Sequence, residues 1–460
     1  MQTIDLVIIF AYLIGLFIFA IYIGRKSNLD NYLVAGRKFK TIFLVFTTLS
    51  TMVGLSTVIA AASATYSSGI SFIAMATCLI MTGYVLVFLF AKKIKIFGDK
   101  FKAHTMGDFL AVRYSQRARV VGSIAIIISY FIFFAGLLLG LSQIFQIFSG
   151  TGLFWSLVFA MLGVIIYTTI SGIKSDFYTD IIHFIVMMIA LVIIMIPIML
   201  IKTGGWALFS NLPNGFTNIY NFGGAGFFWF GILLGFPVFL LYMEIWQRIY
   251  ASNNPKTARK IIAWSAALTI PFLLIALIVG LAARKFLPNI NPDYSFLLVI
   301  KTFLPAGLLG LAIAGLIATI LSTLNTTIMV ISAIFTKDFY MTFINKHASD
   351  KKYLRVGRII TLCVSVVGIS IAFLFPNLVE LAVAANEGLI VLAPAIIGGF
   401  IWKRANEKAA FYSILIGLII LWGSYAFIGK YSFIPACIAS LILYIAISLS
   451  SNQQHNNPSG

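Results

Sequence analysis

Apolar runs of about 20 residues or slightly longer recur thirteen times along this chain, and a helix of that length crosses a hydrocarbon core ~30 Å thick. They cover 4–24, 42–66, 71–94, 119–148, 152–171, 177–201, 226–250, 259–283, 304–335, 354–375, 378–402, 407–428 and 432–450. In hydrocarbon every backbone N–H and C=O must be bonded within the protein, so only helices or a closed barrel can span. A barrel strand needs only ~9–11 residues, so runs of this length select helices. The chain reads as an all-α polytopic membrane protein, in keeping with 61% apolar residues and a mean hydropathy of +1.03. A separate amphipathic piece, Asp293 to Phe303, precedes the long ninth run. The first run has Asp5 before it and Arg25-Lys26 after it, the reverse of a cleaved signal, and reads as a retained helix.

A net charge of +19 invites a nucleic-acid partner, but the positions of the charges exclude one. With the N-terminus outside, 27 of the 32 Lys and Arg fall in inner segments: 25–40, 92–119, Lys174, 248–260, 337–358 and 403–408. Lys202, Arg284, Lys285, Lys301 and Lys430 remain outside. This bias predicts an outer N-terminus and an inner C-terminus. Cys78, Cys363 and Cys437 are scattered through apolar runs, which supports neither a disulfide framework nor a metal site. His104, His183, His347 and His455 fall in loops, span ends or the tail without paired carboxylates, which argues against an enzyme. The Asn- and Gln-rich tail, 451–460, has the composition of a disordered segment. The bilayer is the implied partner, and nothing in the pattern requires an oligomer.

The runs divide as one, ten and two. Residues 1–40 hold the first helix and its inner loop, 41–402 a ten-helix core, and 403–450 two closing helices. Two groups of five within the core, about 41–201 and 226–402, must lie in opposite orientations, which is the arithmetic of a 5+5 inverted repeat. The first member of each group carries helix-disturbing residues: the hydroxyl-rich Thr47–Thr57 stretch, and G-I-L-L-G-F-P from Gly231 to Pro237. Proline removes a donor and glycine loosens the ladder, which predicts freed carbonyls near Gly231–Leu233. Matched breaks at mid-membrane point to a transporter's binding site. The competing reading is Ser/Thr back-bonded to their own helix and packed on neighbours.

Span nine carries Thr319, Ser322, Thr323, Asn325, Thr326 and Thr327 within nine residues. Ser322 and Thr326 share a helix face, with Thr323 and Asn325 beside it. Neutral oxygens from hydroxyls and broken-helix carbonyls suit Na⁺, a small hard cation that must be released after each cycle.

Six motifs then stand in order: Asn31–Lys38, Thr105–Tyr114, Ser171–Asp180, Trp246–Ser252, Ala318–Asn325 and Ala393–Arg404. Together they resemble the sodium:solute symporters, whose members adopt the inverted-repeat fold named for the bacterial leucine transporter. The resemblance implies a main Na⁺ site from the carbonyls of Ser50, Val53 and Thr319 and the hydroxyls of Ser322 and Thr323. Ser50 and Thr319 replace the usual alanines, a change that carbonyl ligation tolerates. Asp180, Asn325 and Thr326 stand where some members hold a second Na⁺ or release the first, with an amide at Asn325 in place of a hydroxyl. The solute-contacting stretches of the family correspond here to Met52, Gly54, Thr57, Ala76, Thr77, Gly235 and Phe239. That set is poor in hydrogen-bonding groups for a sugar and contains no Arg or Lys for a carboxylate.

Glu387 adds an ionisable group nine residues inside span eleven, about 13 Å deep at ~1.5 Å per residue. A carboxylate at that depth is a candidate partner for an ammonium-bearing solute or a proton. The expected activity is Na⁺-coupled uptake of a small organic solute by alternating access. Proton coupling on the same fold, or a solute-gated channel-like relative, remains the alternative.

Overall fold

The computed structural model describes residues 1–24, 39–170, 173–210, 212–345, 347–375 and 378–450. The Asn31–Lys38 motif, most of the basic 25–40 loop and the 451–460 tail lie outside the described residues. Among those described, every long element is helical, and the β pairing is an isolated parallel bridge between Phe39 and Ser252.

In chain order the helices are α1 (Thr3–Gly24), α2 (Thr41–Met52), α3 (Ala61–Ser68), α4 (Ser71–Lys100), α5 (Met106–Arg113), α6 (Gln116–Ser149) and α7 (Leu153–Ile170). There follow α8 (Ile173–Met187), α9 (Met195–Thr203), α10 (Gly224–Gly235), α11 (Val238–Leu241), α12 (Met243–Ala251) and α13 (Pro255–Phe286). The chain closes with α14 (Ser295–Phe303), α15 (Leu308–Ile334), α16 (Asp350–Leu374), α17 (Leu378–Ile390), α18 (Ala393–Ile401), α19 (Glu407–Ile428) and α20 (Phe433–Ser450). Ten described helices are long and apolar enough to cross a membrane, and α2 with α3 makes an eleventh if that bent pair counts as one span. Two shorter apolar stretches, Leu153–Leu162 and Gly224–Leu233, fall below that length.

Local chemistry explains the boundaries. Ser115, Asn254 and Asn406 cap α6, α13 and α19 by accepting from backbone N–H groups three residues on. Thr105 and Asp108 form a reciprocal capping box on α5. Arg113, at the end of α5, donates to the carbonyls of Gly399 and Trp402 at 2.9 Å and of Ala405 at 3.2 Å. A cation thereby satisfies carbonyls at the C-terminal end of α18. This gives the Thr105–Tyr114 motif a physical role as a clamp between two halves of the chain.

α15 is the axis. From Leu309 to Ile334 nearly every residue is buried, and it packs on α1, α2, α6, α8 and α16. A helix buried on every face, with its polar side chains bonded inside the protein, belongs at the centre of a large helical bundle. By contrast, Val7, Phe10, Ile14 and Ile18 expose one face of α1, as a lipid-facing helix does. Asp5 is buried: one carboxylate oxygen accepts from the N–H groups of Gly307 at 2.7 Å and Gly310 at 2.9 Å, tying α1 to the start of α15. His183 lies wholly buried within α8 and hydrogen-bonds Tyr12 at 2.5 Å, so it does not sit at an exposed span end.

Candidate ion and solute site

α2 ends at Val53, the chain turns by 58°, and α3 continues through a π turn at Ser56–Ala60. The last carbonyls of a helix have no partner in the ladder. Three of them here are met by hydroxyls. Ser322 donates to Ser50 O at 2.7 Å, Thr323 to Thr51 O at 2.9 Å, and Thr57 to Met52 O at 3.2 Å. Gly54 permits the approach of α15, because a Cβ there would stand 2.6 Å from Thr323 Oγ1.

Ser322 and Thr323 also donate to the carbonyl of Thr319, at 3.3 and 3.1 Å. Two hydroxyls and the carbonyls of Ser50, Thr51 and Thr319 thus converge in a fully buried place. All five oxygens are neutral and hard, a donor set that suits a releasable alkali cation. Thr319 turns its own hydroxyl back to Leu316 O at 2.7 Å, and Ser50 directs its hydroxyl toward Met187 Sδ at 4.0 Å. Their carbonyls are what they bring. Val53 is buried at the same break, and its N–H is bonded to Leu49 O at 2.8 Å. Thr51 is the carbonyl that sequence reasoning missed.

A second polar centre lies beside the first. Asp180 accepts on Oδ2 from Thr47 at 2.5 Å, from Thr51 at 3.3 Å and from Arg248 Nη2 at 2.9 Å. Arg248 also donates to Thr51 at 2.6 Å and Thr326 at 3.3 Å, with its guanidinium 4.8 Å from the centre of the Phe177 ring. Asp176 accepts from Asn325 and, at 2.8 Å, from Thr326. One expectation needs correction. Arg248 is no loop charge: like Asp180, it is buried within the bundle. Arg248 reads as an inner-loop cation because it ends an apolar run, where basic residues usually mark topology. Asp176 was missed, although it stands four residues before Asp180 and so on the same helix face.

Next to the break opens a cavity of about 240 Å³, lined by Met52, Gly54, Thr57, Ala76, Gly235, Phe239 and Glu387 among others. Thr77 is not among its lining residues. Phe72, Met75, Ala76, Leu79, Ile80 and Tyr84 form the cavity face of α4, and Thr77, seven residues before Tyr84 and so at the edge of that face, is left out of the lining. Several polar lining residues were unforeseen, among them Tyr84, Tyr242, Glu244 and Asn386. Tyr242 donates to Asn386 at 2.5 Å, joining α17 to the break before α12.

That break also lies elsewhere than expected. Gly231–Leu233 stay inside α10, and the extended residue is Tyr242, with φ −70° and ψ 114°. Proline needs no donor at the start of a new turn, so Pro237 simply opens α11. At Tyr242 the freed Met243 N–H goes to Tyr130 Oη at 2.8 Å, and Trp246 Nε1 donates to Leu240 O at 2.7 Å. Tyr130 in turn donates to Glu244.

A broken helix, a crossing helix that presents hydroxyls to the break, and a small cavity beside both define a secondary transporter of the membrane. The family profile of the sodium:solute symporter family matches residues 32–417, and the chain belongs to that family. Membership brings transmembrane symport with Na⁺ as the coupling ion. The sodium/proline symporter of Escherichia coli (strain K12) is 24% identical over 459 residues, covering 95% of this chain and 91% of the relative. That of Staphylococcus aureus is 25% identical over 488 residues, covering 97% and 92%. The structure of a Na⁺-coupled sialic acid symporter, substrate-bound and outward-open, matches with a TM-score of 0.82 at 19% identity, covering 98% of each chain. A nucleobase-cation-symport-1 family transporter matches with a TM-score of 0.58 at 15% identity, covering 91% and 93%. At these identities the solved structures speak for the fold alone.

Proposed function

We propose that the protein imports a small organic solute with Na⁺ across a bacterial cytoplasmic membrane, by alternating access. In this reading the chain crosses the membrane thirteen times, with the N-terminus outside and the C-terminus inside. The 41–402 core works as inverted repeats of five helices, about 41–201 and 226–402, with one helix before and two after. Na⁺ is held by the carbonyls of Ser50, Val53 and Thr319 and the hydroxyls of Ser322 and Thr323, joined by the Thr51 carbonyl. The observation that carries the proposal is the convergence of the two α15 hydroxyls on the carbonyls freed at the α2 break. An ion there bridges two helices, so its binding favours the conformation in which they are together. Solute takes the adjoining cavity, completing the site before the inner side opens.

Asp180, Asn325 and Thr326, with Asp176, are proposed as a second cation position or the release path. Asp180 Oδ1 and Asn325 Oδ1 are buried and have no hydrogen-bond partner among the described residues. Two carboxylates facing one guanidinium leave one negative charge for a passing cation.

The test is melting and uptake of the purified protein as a function of Na⁺. Ser322→Ala and Thr323→Ala each remove one ion-facing oxygen and should raise the Na⁺ requirement about 5- to 30-fold, the equivalent of ~1–2 kcal/mol. Thr319→Ala keeps its carbonyl and should change it less than about 2-fold. Equal damage from all three would overturn the assignment. Uptake that follows pH in Na⁺-free buffer would replace Na⁺ with the proton.

A further inference from the structure

The solute cavity is lined by two carboxyl groups. Glu244 and Glu387 line it at 2% and 5% exposure, and no Lys, Arg or His stands among the described lining residues. Arg248, one helical turn beyond Glu244, is engaged by Asp180 and neighbouring hydroxyls and is not part of the lining. The walls are aromatic. Phe239 meets Tyr84 tilted and Tyr242 edge to face, each with ring centres 5.4 Å apart, and four further phenylalanines line the same space.

Ring faces and carboxylates attract the same kind of guest. A cation within about 6 Å of an aromatic face gains from the ring quadrupole, most when desolvated. A solute carboxylate brought to this lining would meet two further carboxyl groups and no basic side chain among the described lining residues. A volume of about 240 Å³ limits the guest to a small molecule.

We infer that the cavity selects a small organic cation, an amine or quaternary ammonium without a carboxylate, its charge held by Glu244 and Glu387 and its apolar part against the aromatic wall. This rests on the Na⁺-symport reading, which supplies the coupling but not the solute. An inside-negative potential drives such a solute in the same direction as Na⁺.

The experiment uses the full-length protein in detergent and in proteoliposomes. Radiolabelled choline and tyramine serve as cation probes. Glycine betaine, proline, acetate and galactose serve as zwitterionic, anionic and neutral competitors. At least one cation should bind, be displaced by other amines and be indifferent to the four competitors. Glu387→Gln should weaken its binding at least about tenfold, ~1.4 kcal/mol, while the Na⁺-induced melting shift stays intact. Glu244→Gln should act in the same direction. Since Glu244 is tied to Tyr130, Glu387→Gln decides alone if the other variant does not fold.

Binding of a zwitterion, anion or sugar with neither cation binding overturns the inference, as does cation binding untouched by Glu387→Gln. Silence of both cations in a preparation that still melts higher in Na⁺ also overturns it. Cation binding without any Na⁺ effect on melting or uptake keeps this inference and overturns Na⁺ coupling instead.

Discussion

Thr51 touches three systems at once. Its carbonyl accepts from Thr323, its hydroxyl receives Arg248, and it lines the solute cavity. Thr51→Val keeps shape and carbonyl and removes the hydroxyl. Na⁺ binding alone should change little, whereas the lowering of the Na⁺ requirement by solute should shrink about 5-fold or more, within the ~1–3 kcal/mol typical of coupling between sites. Titrating Na⁺ by melting with and without solute reads that difference directly. The neighbouring ion pair gives a second prediction. Arg248→Met leaves Asp180 buried and uncompensated and should destabilise by ~3–5 kcal/mol, whereas adding Asp180→Asn should restore much of it. Melting temperatures of the two variants compare the cases. These residues also mark what could be read beforehand. Ser322 and Thr323 were named beforehand through the family resemblance, on a stretch whose clustered hydroxyls in an apolar run demand partners. Arg248 was not, since a basic residue closing a span looks the same in one dimension whether it enters water or folds back onto an acid.

Helix breaks are made differently in the two halves, and that difference governs how well each could be foreseen. In α2–α3 the signal is dense: hydroxyls and a glycine share one turn. Gly54 is required by contact, since its Cβ would meet Thr323 Oγ1 at 2.6 Å and Thr323 Cβ at 3.3 Å, both belonging to a buried residue on α15. Gly54→Ala should push α15 from the break, costing ~1–3 kcal/mol of the kind seen in overpacked cores. The Na⁺ requirement for uptake should rise, and adding Thr323→Ser should recover little of it, since serine keeps the hydroxyl oxygen that the new Cβ meets first. In α10–α12 the proline drew attention to the wrong turn. The break at Tyr242 has no Gly or Pro of its own. It is maintained by Tyr130, whose phenol accepts from Met243 N–H and donates to Glu244, a tertiary bond from α6 that local sequence does not announce.

Across the whole molecule, sidedness follows from the loops, and burial adds a constraint that counting alone lacks. Arg248 and Lys95 are fully buried and Arg119 nearly so, and each is bonded inside the protein, to Asp180, Asp99 and Asp108 respectively. Such residues cannot serve as free topology signals in the way that surface lysines do. The proposed orientation therefore rests on the remaining Lys and Arg, whose positions in the sequence are still strongly biased to one side, and it can be tested by labelling. Cys78 and Cys363 are exposed while Cys437 is buried, so the first step is a cysteine-free background. Single cysteines are then placed at Ser210 and at Ser349, both exposed, one after α9 and the other before α16. In intact cells an impermeant thiol reagent should label Ser210→Cys and spare Ser349→Cys until the membrane is opened. The two positions lie in loops separated by an odd number of proposed crossings, so they must differ. Labelling of both from outside would break the thirteen-crossing count. A reversed pattern would keep the count and turn the molecule over, without changing the direction in which an inward Na⁺ gradient drives symport.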